Sequence, residues 1–180
     1  ILNHTKDIAP EEYHLKIKED RVVVETGSYG GLLYALQSLL QIDQIAELEN
    51  RGWPIIQISD SPRFKYRGFM LDIARNFYGV DKLKQIIDLM AMFKLNHFDI
   101  KLSDDEGWRL EITGLPELTE IGAKRGFTTD ESDQLIPMYG SGATGGITGN
   151  GFLSQDDFVS LLQYAKAKNI TIIPQLSFPS

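Results

Sequence analysis

The chain has 180 residues, enough for one domain or two small ones, and at 42% hydrophobic and 24% charged it has ordinary globular composition. Its net charge of -7 and lack of any Lys/Arg cluster argue against nucleic acid as a partner, because binding phosphates needs a basic face; a neutral sugar fits better. Without cysteine there are no disulfides and no thiolate metal or nucleophile sites, and no apolar run approaches the roughly 20 residues of a membrane span.

No signal peptide opens the chain, and a start at Ile1 with an end in LSFPS reads as a piece of something longer. Two short sequons, at Asn3 and Asn169, are of the kind that arises by chance. Tyr13, Leu15 and Ile17 alternate with polar residues, which predicts a half-buried strand, and Val22, Val23 and Val24 predict a second after the polar turn KEDR. Beyond the break at residues 27–31, Leu33, Leu36, Leu39 and Leu40 recur at helical spacing. Residues 53–58 form a further strand candidate, and residues 59–63 read as a linker. The expectation is a small α+β domain over residues 1–60.

From residue 61 the texture changes. YRGFMLDIA, residues 66–74, is a near-continuous apolar run, as expected of a strand buried on both faces. A helix follows, with Asp81 as its N-cap, Leu83, Ile86, Ile87, Met90 and Phe93 as its apolar stripe, and Lys94 in its last turn, suited to the dipole. HFDIKLS predicts a second strand. After a connection of roughly 45 residues, Ser154 and Asp157 make a capping-box pattern for a helix that buries Phe158, Leu161, Leu162 and Ala165. TIIPQLSF, residues 171–178, is the third strand. This order means parallel strands with crossover helices: α/β, with about three β/α units over residues 61–180, under half of a TIM (β/α)8 barrel. A complete small flavodoxin-like domain is the alternative, but only two helices are on offer to cover its sheet, and ARNFYGVD has no Gly-rich run to cradle a phosphate.

In such folds function gathers at the C-terminal ends of strands. Here those ends carry Arg75 to Tyr78, then Asp104, Asp105, Glu106 and Trp108, then Gln175 to Ser180. Charged groups beside an aromatic ring suit a sugar pocket. Successive strand residues point to opposite faces, so at most one of Asp104 and Asp105 is expected to face a ligand, and alternation does not say which. Too few ligands converge for a metal site, and His97 lies at the far end of the same strand; no cofactor is expected. GSGATG, residues 140–145, matches G-x-G-x-x-G, yet follows no strand and opens no helix, so the stretch MYGSGATGGITGNG is expected to be a flexible loop. His4, His14 and His97 lie away from the strand ends.

RGFMLDIARNFYGVDKLKQIIDLMAMFKLNHFDIKLSDDEGW resembles glycoside hydrolase family 20, the β-N-acetylhexosaminidases, whose pattern is an R-G-x-x-x-D-x-x-R strand, a helix, and a strand ending in D-D-Q-G-W or similar. EEYHLKIKEDRVVVETGSYGGLLYALQSLLQI is similar to the small α+β domain that precedes the barrel in that family, and IIPQLSFPS stands where P-E-x-D/N-x-P-G-H is usual. The resemblance implies a glycosidase that removes terminal N-acetylhexosamine from a glycan or glycoconjugate. It does so by substrate-assisted retaining hydrolysis, in which the 2-acetamido oxygen attacks the anomeric carbon, an exception to the two-carboxylate scheme. It implies that Arg75 bonds hydroxyls of the non-reducing-end sugar, that Asp104 supports a histidine-acid relay, and that Trp108 is structural or lines the pocket. Asp105 and Glu106 are then expected to shape the loop.

The family's catalytic Asp-Glu pair usually sits in G-G-D-E, whereas Gly145-Gly146 here is followed by Ile147-Thr148. The pair is therefore expected downstream, which leaves this chain by itself inactive. Gln175, Ser177 and Ser180 depart from the usual Glu, Asp/Asn and Gly, and DIK at residues 99–101 replaces aromatic and histidine residues. These departures leave a non-catalytic carbohydrate-binding relative as the alternative. The resemblance implies a periplasmic, secreted or lysosome-like location.

Overall fold

The computed structural model describes residues 1–138 and 141–178. The chain divides into two units, Ile1–Arg67 with Ala91–Lys94, and Gly68–Met90 with Leu95–Ser180.

In the first unit, strands β1 (Leu2–His4), β2 (Tyr13–Ile17), β3 (Val22–Thr26) and β4 (Ile56–Asp60) form one sheet in the order β1-β3-β2-β4, with helix α1 (Tyr29–Leu48) between β3 and β4 in sequence. Strand β2 alternates as its pattern predicts, burying Tyr13, Leu15 and Ile17. Strand β4 begins three residues later than predicted, so Ser59 and Asp60, read as linker, instead pair with His14 and Tyr13. Strand β1 has no signal of its own; it exists because β3 offers a free edge, with Leu2 opposite Val24.

The buried face of α1 differs from the leucine spacing. Tyr34 and Ala35 are buried with Tyr13, Leu15 and Val24, Leu39 packs against them, and Leu36 and Leu40 face outward. The helix start explains this. Ser28 Oγ caps Gly31 N–H at 3.2 Å, and a Cβ on Gly31 would lie 2.4 Å from the Glu12 carbonyl oxygen. The helix backbone comes so close to Glu12 and Thr26 at Gly31 that no side chain fits there, and one turn on Tyr34 and Ala35 take the inner positions.

The second unit holds a three-stranded parallel sheet in the order β5-β6-β9: β5 (Gly68–Asp72), β6 (His97–Lys101) and β9 (Thr171–Gln175). Helix α2 (Val80–Met92) follows β5 and helix α5 (Gln155–Ala167) precedes β9, separated by the short elements β7 (Ser103–Asp104), β8 (Gly107–Trp108), α3 (Glu117–Glu120) and α4 (Gly146–Gly149). Phe98 and Ile100 of β6 are fully buried. Strand β5 corrects the expectation of burial on both faces, because Phe69 and Met70 are 42% and 48% exposed. It pairs only with β6, and the apolar anchors of this segment, Ile73 and Ala74, lie just past the strand.

The helix ends are also sharper than the sequence patterns. Asp81 lies in the first turn of α2 and not at its cap; Leu83, Ile87, Met90 and Ala91 are its buried face, and Phe93 is exposed. Lys94 is not in the last turn. It lies beyond the helix with φ of 56°, and Leu95 N–H reaches back to the Met90 carbonyl at 2.9 Å, as in a Schellman motif. Asn50 and Asn169 end α1 and α5 the same way, with φ of 49° and 59°. Lys94 Nζ instead bonds Tyr13 Oη, Ser38 Oγ and Asp60 Oδ2, each at 2.9 Å. Burial opposes the charge on Lys94, but the hydrogen bonds from this cluster outweigh it and raise the ammonium's pKa.

At α5 the capping box forms as predicted: Ser154 Oγ accepts from Asp157 N–H at 3.1 Å, and the Asp157 carboxylate accepts from Ser154 N–H at 3.2 Å. Leu161 and Ala165 are buried, while Leu162 is exposed. Replacing Ser154 by Ala is expected to lower stability by about 1 kcal/mol, read as a lower midpoint with unchanged slope in urea unfolding.

Candidate functional site

The site is assembled where β5 and β6 end. As β5 finishes, Asp72 Oδ1 accepts from the backbone N–H groups of Ala74 (2.9 Å) and Arg75 (3.2 Å), which turns the chain. Asp72 Oδ2 accepts from Arg75 Nη1 at 2.7 Å, so the residue that makes the turn also aims the guanidinium. On the neighbouring strand, β7 and β8 form a tight hairpin with Asp104 opposite Gly107. The hairpin points Asp105 outward, its side chain 59% exposed, while Asp104 and Glu106 turn inward at 17% and 7%.

Arg75 collects these acids. Its Nη1 lies 2.9 Å from Asp104 Oδ2, its Nε 3.5 Å from Glu106 Oε1, and its Nη2 3.9 Å from Asp105 Oδ1. Lys101, the last residue of β6, makes a second close contact to Asp104 Oδ2. The hydrogen bond from Lys101, helped by the Asp105 backbone N–H and by the charge of Arg75, holds the Asp104 carboxyl far below the usual carboxylate range. The hydrogen bond to Asp72 and the charges of Asp104 and Glu106 raise the Arg75 pKa further.

Beneath this cluster lies Arg109, 0% exposed. It donates to four carbonyls: Nε and Nη2 to Ala74 (3.2 and 2.9 Å), Nη1 to Ala123 (3.1 Å) and Gly151 (3.0 Å), and Nη2 to Gly149 (3.0 Å), and among the described residues no carboxylate forms an ion pair with it. Its guanidinium also lies 5.9 Å from the centre of the Phe77 ring. Burial, reinforced by the nearby charge of Arg125, pushes its pKa down to about 10. Gly107 leaves room for it, because a Cβ there would meet Arg109 Nη2 at 2.5 Å. Gly151, with φ of 124°, presses against the Phe77 ring.

Arg75 and Asp104 were expected from the sequence, and the structure brings them into contact. Trp108 lies beside them and is buried; its indole N–H donates to the Leu110 carbonyl and its ring meets Phe178 edge-on at 5.5 Å. Gln175 accepts from Leu102 N–H through its backbone (2.9 Å), and Ser177 N–H donates to Ser103 Oγ (2.9 Å). Ser180 lies outside the described residues. His97 bonds the neighbouring Asn96 side chain at 2.6 Å.

Sequence reasoning gave no site role to Asp72, Lys101, Arg109 and Arg125. Asp72 had a signal, since it falls within the motifs that carry the resemblance; Glu106, expected to shape the loop, lies in the turn between β7 and β8 and is also a buried acid facing Arg75. The glycine-rich stretch also needs correction. Gly140 lies outside the described residues, but a single-turn helix, α4, does follow Gly145, and residues 149–151 are pinned by Arg109 and by Asn150, whose Oδ1 accepts from Arg125 N–H at 2.8 Å. Among the described residues no group of three or more His, Asp or Glu is placed to hold a metal. A cleft of about 510 Å³, lined in part by Glu111, Thr113, Glu120 and Phe152, contains none of Arg75, Asp104 or Trp108.

Residues 64–180 match the family model for the glycosyl hydrolase family 20 catalytic domain, and residues 1–61 match that family's domain 2. The chain belongs to glycoside hydrolase family 20. It is 45% identical to N,N'-diacetylchitobiase of Vibrio harveyi over 93% of this chain and 19% of that protein. It is 40% identical to β-hexosaminidase B of Pseudoalteromonas piscicida, over 93% of this chain and 21% of that protein. The solved GH20 exo β-N-acetylglucosaminidase of Vibrio harveyi in complex with N-acetylglucosamine superposes with a TM-score of 0.83 at 38% identity, over 99% of this chain and 27% of that one. The chain thus spans about a fifth of the length of the curated relatives it matches.

Replacing Arg109 by Met is expected to cost roughly 3 kcal/mol or more, because four carbonyls lose their donor at about 1–3 kcal/mol each before water partly compensates; urea unfolding measures it. Asp104 has a folded pKa below its unfolded value near 3.9, so its contribution to stability is complete above about pH 4 and is lost as pH falls below that. Asp104→Asn is therefore expected to flatten, without abolishing, the loss of stability between about pH 4 and pH 2, since Asp60 and Asp88 are also held low.

Proposed function

We propose that this chain forms the small α+β domain, residues 1–60, and the first three β/α units, residues 61–180, of the (β/α)8 barrel of an exo-β-N-acetylhexosaminidase. In this reading it holds the terminal sugar at the strand ends. Arg75 donates to hydroxyls of the non-reducing-end N-acetylhexosamine, with Asp72 and Asp104 fixing its guanidinium. Trp108, in the second strand of the hairpin that carries Asp104, is structural or lines the pocket. Hydrolysis is substrate-assisted and retaining: the acetamido oxygen attacks the anomeric carbon, and the Asp-Glu pair that orients the acetamide and protonates the leaving oxygen is not among these 180 residues.

The observation that carries this reading is the 2.9 Å contact of Arg75 with Asp104 across the C-terminal ends of two adjacent parallel strands, in a chain of this family. A cation held by fixed acids can direct its remaining N–H groups at sugar hydroxyls without reorganising when the sugar arrives.

A chromogenic N-acetylglucosaminide tests the proposal. The full-length protein is expected to turn it over, the 180-residue chain alone is not, and Arg75→Ala in the full-length protein is expected to lower kcat/KM by at least about 100-fold. Turnover by the 180-residue chain would refute the placement of the catalytic pair. Sugar binding without turnover by the full-length protein would mark a carbohydrate-binding relative.

A further inference from the structure

Arg125 sits in the connection between β8 and α5 and is 1% exposed. The connection holds it firmly. Its backbone N–H is bonded to Asn150 Oδ1, a Cβ on Gly145 would lie 2.1 Å from its carbonyl oxygen, and a Cβ on Gly149 would lie 3.3 Å from its Nε. From there its Nη2 donates to the Arg75 carbonyl at 2.6 Å, and its Nη1 stands 3.9 Å from Glu106 Oε2, beyond hydrogen-bond length. Glu106 in turn places Oε1 3.5 Å from Arg75 Nε. Glu106 Oε2 and Arg125 Nε and Nη1 are buried with no hydrogen-bond partner among the described residues.

Buried charges left so incompletely bonded are costly, and a purely structural pair would be expected to close the gap. Each member instead faces Arg75, Arg125 by a hydrogen bond to its backbone carbonyl and Glu106 by an ion pair with its guanidinium. Arg75 thus has a buried cation on its backbone carbonyl and a buried anion beside its Nε, while Asp72 and Asp104 hold its Nη1. We propose that Glu106 and Arg125 form a buried positioning pair for Arg75, through which the connection between β8 and α5 governs how tightly the site holds the terminal sugar. This rests on the reading that Arg75 contacts the sugar.

Because Glu106 acts through Arg75, its effect must vanish when Arg75 is gone, which a purely structural role would not produce. The test is N-acetylglucosamine binding by calorimetry to the full-length protein and its Arg75→Ala, Glu106→Gln and double variants. Glu106→Gln is expected to weaken binding about five- to tenfold when Arg75 is present and by less than about twofold when it is absent. Equal weakening in both backgrounds, or none in either while Arg75→Ala weakens binding, overturns the positioning role and leaves the sugar-binding reading intact. Unchanged binding by Arg75→Ala sinks that reading and the pair's role with it. Should Glu106→Gln fail to fold, Glu106→Asp, which keeps the charge but withdraws the carboxylate, gives the same comparison.

Discussion

Five hydrogen bonds from one buried guanidinium tie together four separated points of the second unit. Arg109 joins the Ala74 carbonyl, at the exit of β5, to the carbonyls of Ala123, Gly149 and Gly151 in the long connection. Three of the carbonyls belong to irregular backbone and the fourth, of Gly149, to the last residue of α4, so none has a ladder or a following turn to satisfy it, and burying such groups unbonded would be costly. An arginine meets the need because its donors radiate in a plane, so a single side chain can serve several carbonyls at once. The cost is a buried positive charge, seen in the downward shift that burial imposes on its pKa.

The electrostatics above it follow from that arrangement. With the turn after Ala74 fixed, Arg75 is presented to Asp72, Asp104 and Glu106, and the hairpin of β7 and β8 decides which acids take part. A strand would have turned Asp104 and Glu106 to one face and Asp105 to the other, and the tight hairpin keeps that alternation, so that two acids converge and the middle one is solvated. Lys101 adds a second cation to Asp104, so that aspartate is fixed by an ammonium as well as by a guanidinium.

Much of this was legible in advance and some was not, for separable reasons. The alternation of Tyr13, Leu15 and Ile17, the capping box at Ser154, and the strands at residues 97–101 and 171–175 are local, each written within a few neighbouring residues. Strand β1 and the register of β4 depend on what a neighbouring strand offers, and α1 buries tyrosine and alanine over leucine because of a close approach set by Gly31 and Glu12. The residues after α1, α2 and α5 take left-handed conformations, and in α2 that position is a lysine, which no capping rule would have chosen.

The sequence by itself determined the order of the longer strands and helices, the acidic and cysteine-free character of the chain, and Arg75, Asp104 and Trp108 as candidate site residues, because hydrophobic period, composition and contiguous motifs survive without coordinates. Only the tertiary structure decided that Glu106 meets Arg75, that Arg109 is a backbone anchor, and that Arg125 reaches Arg75 from 50 residues away. Those contacts join residues whose spacing in the chain carries no period, so their geometry exists only once the intervening connection has folded around a buried arginine.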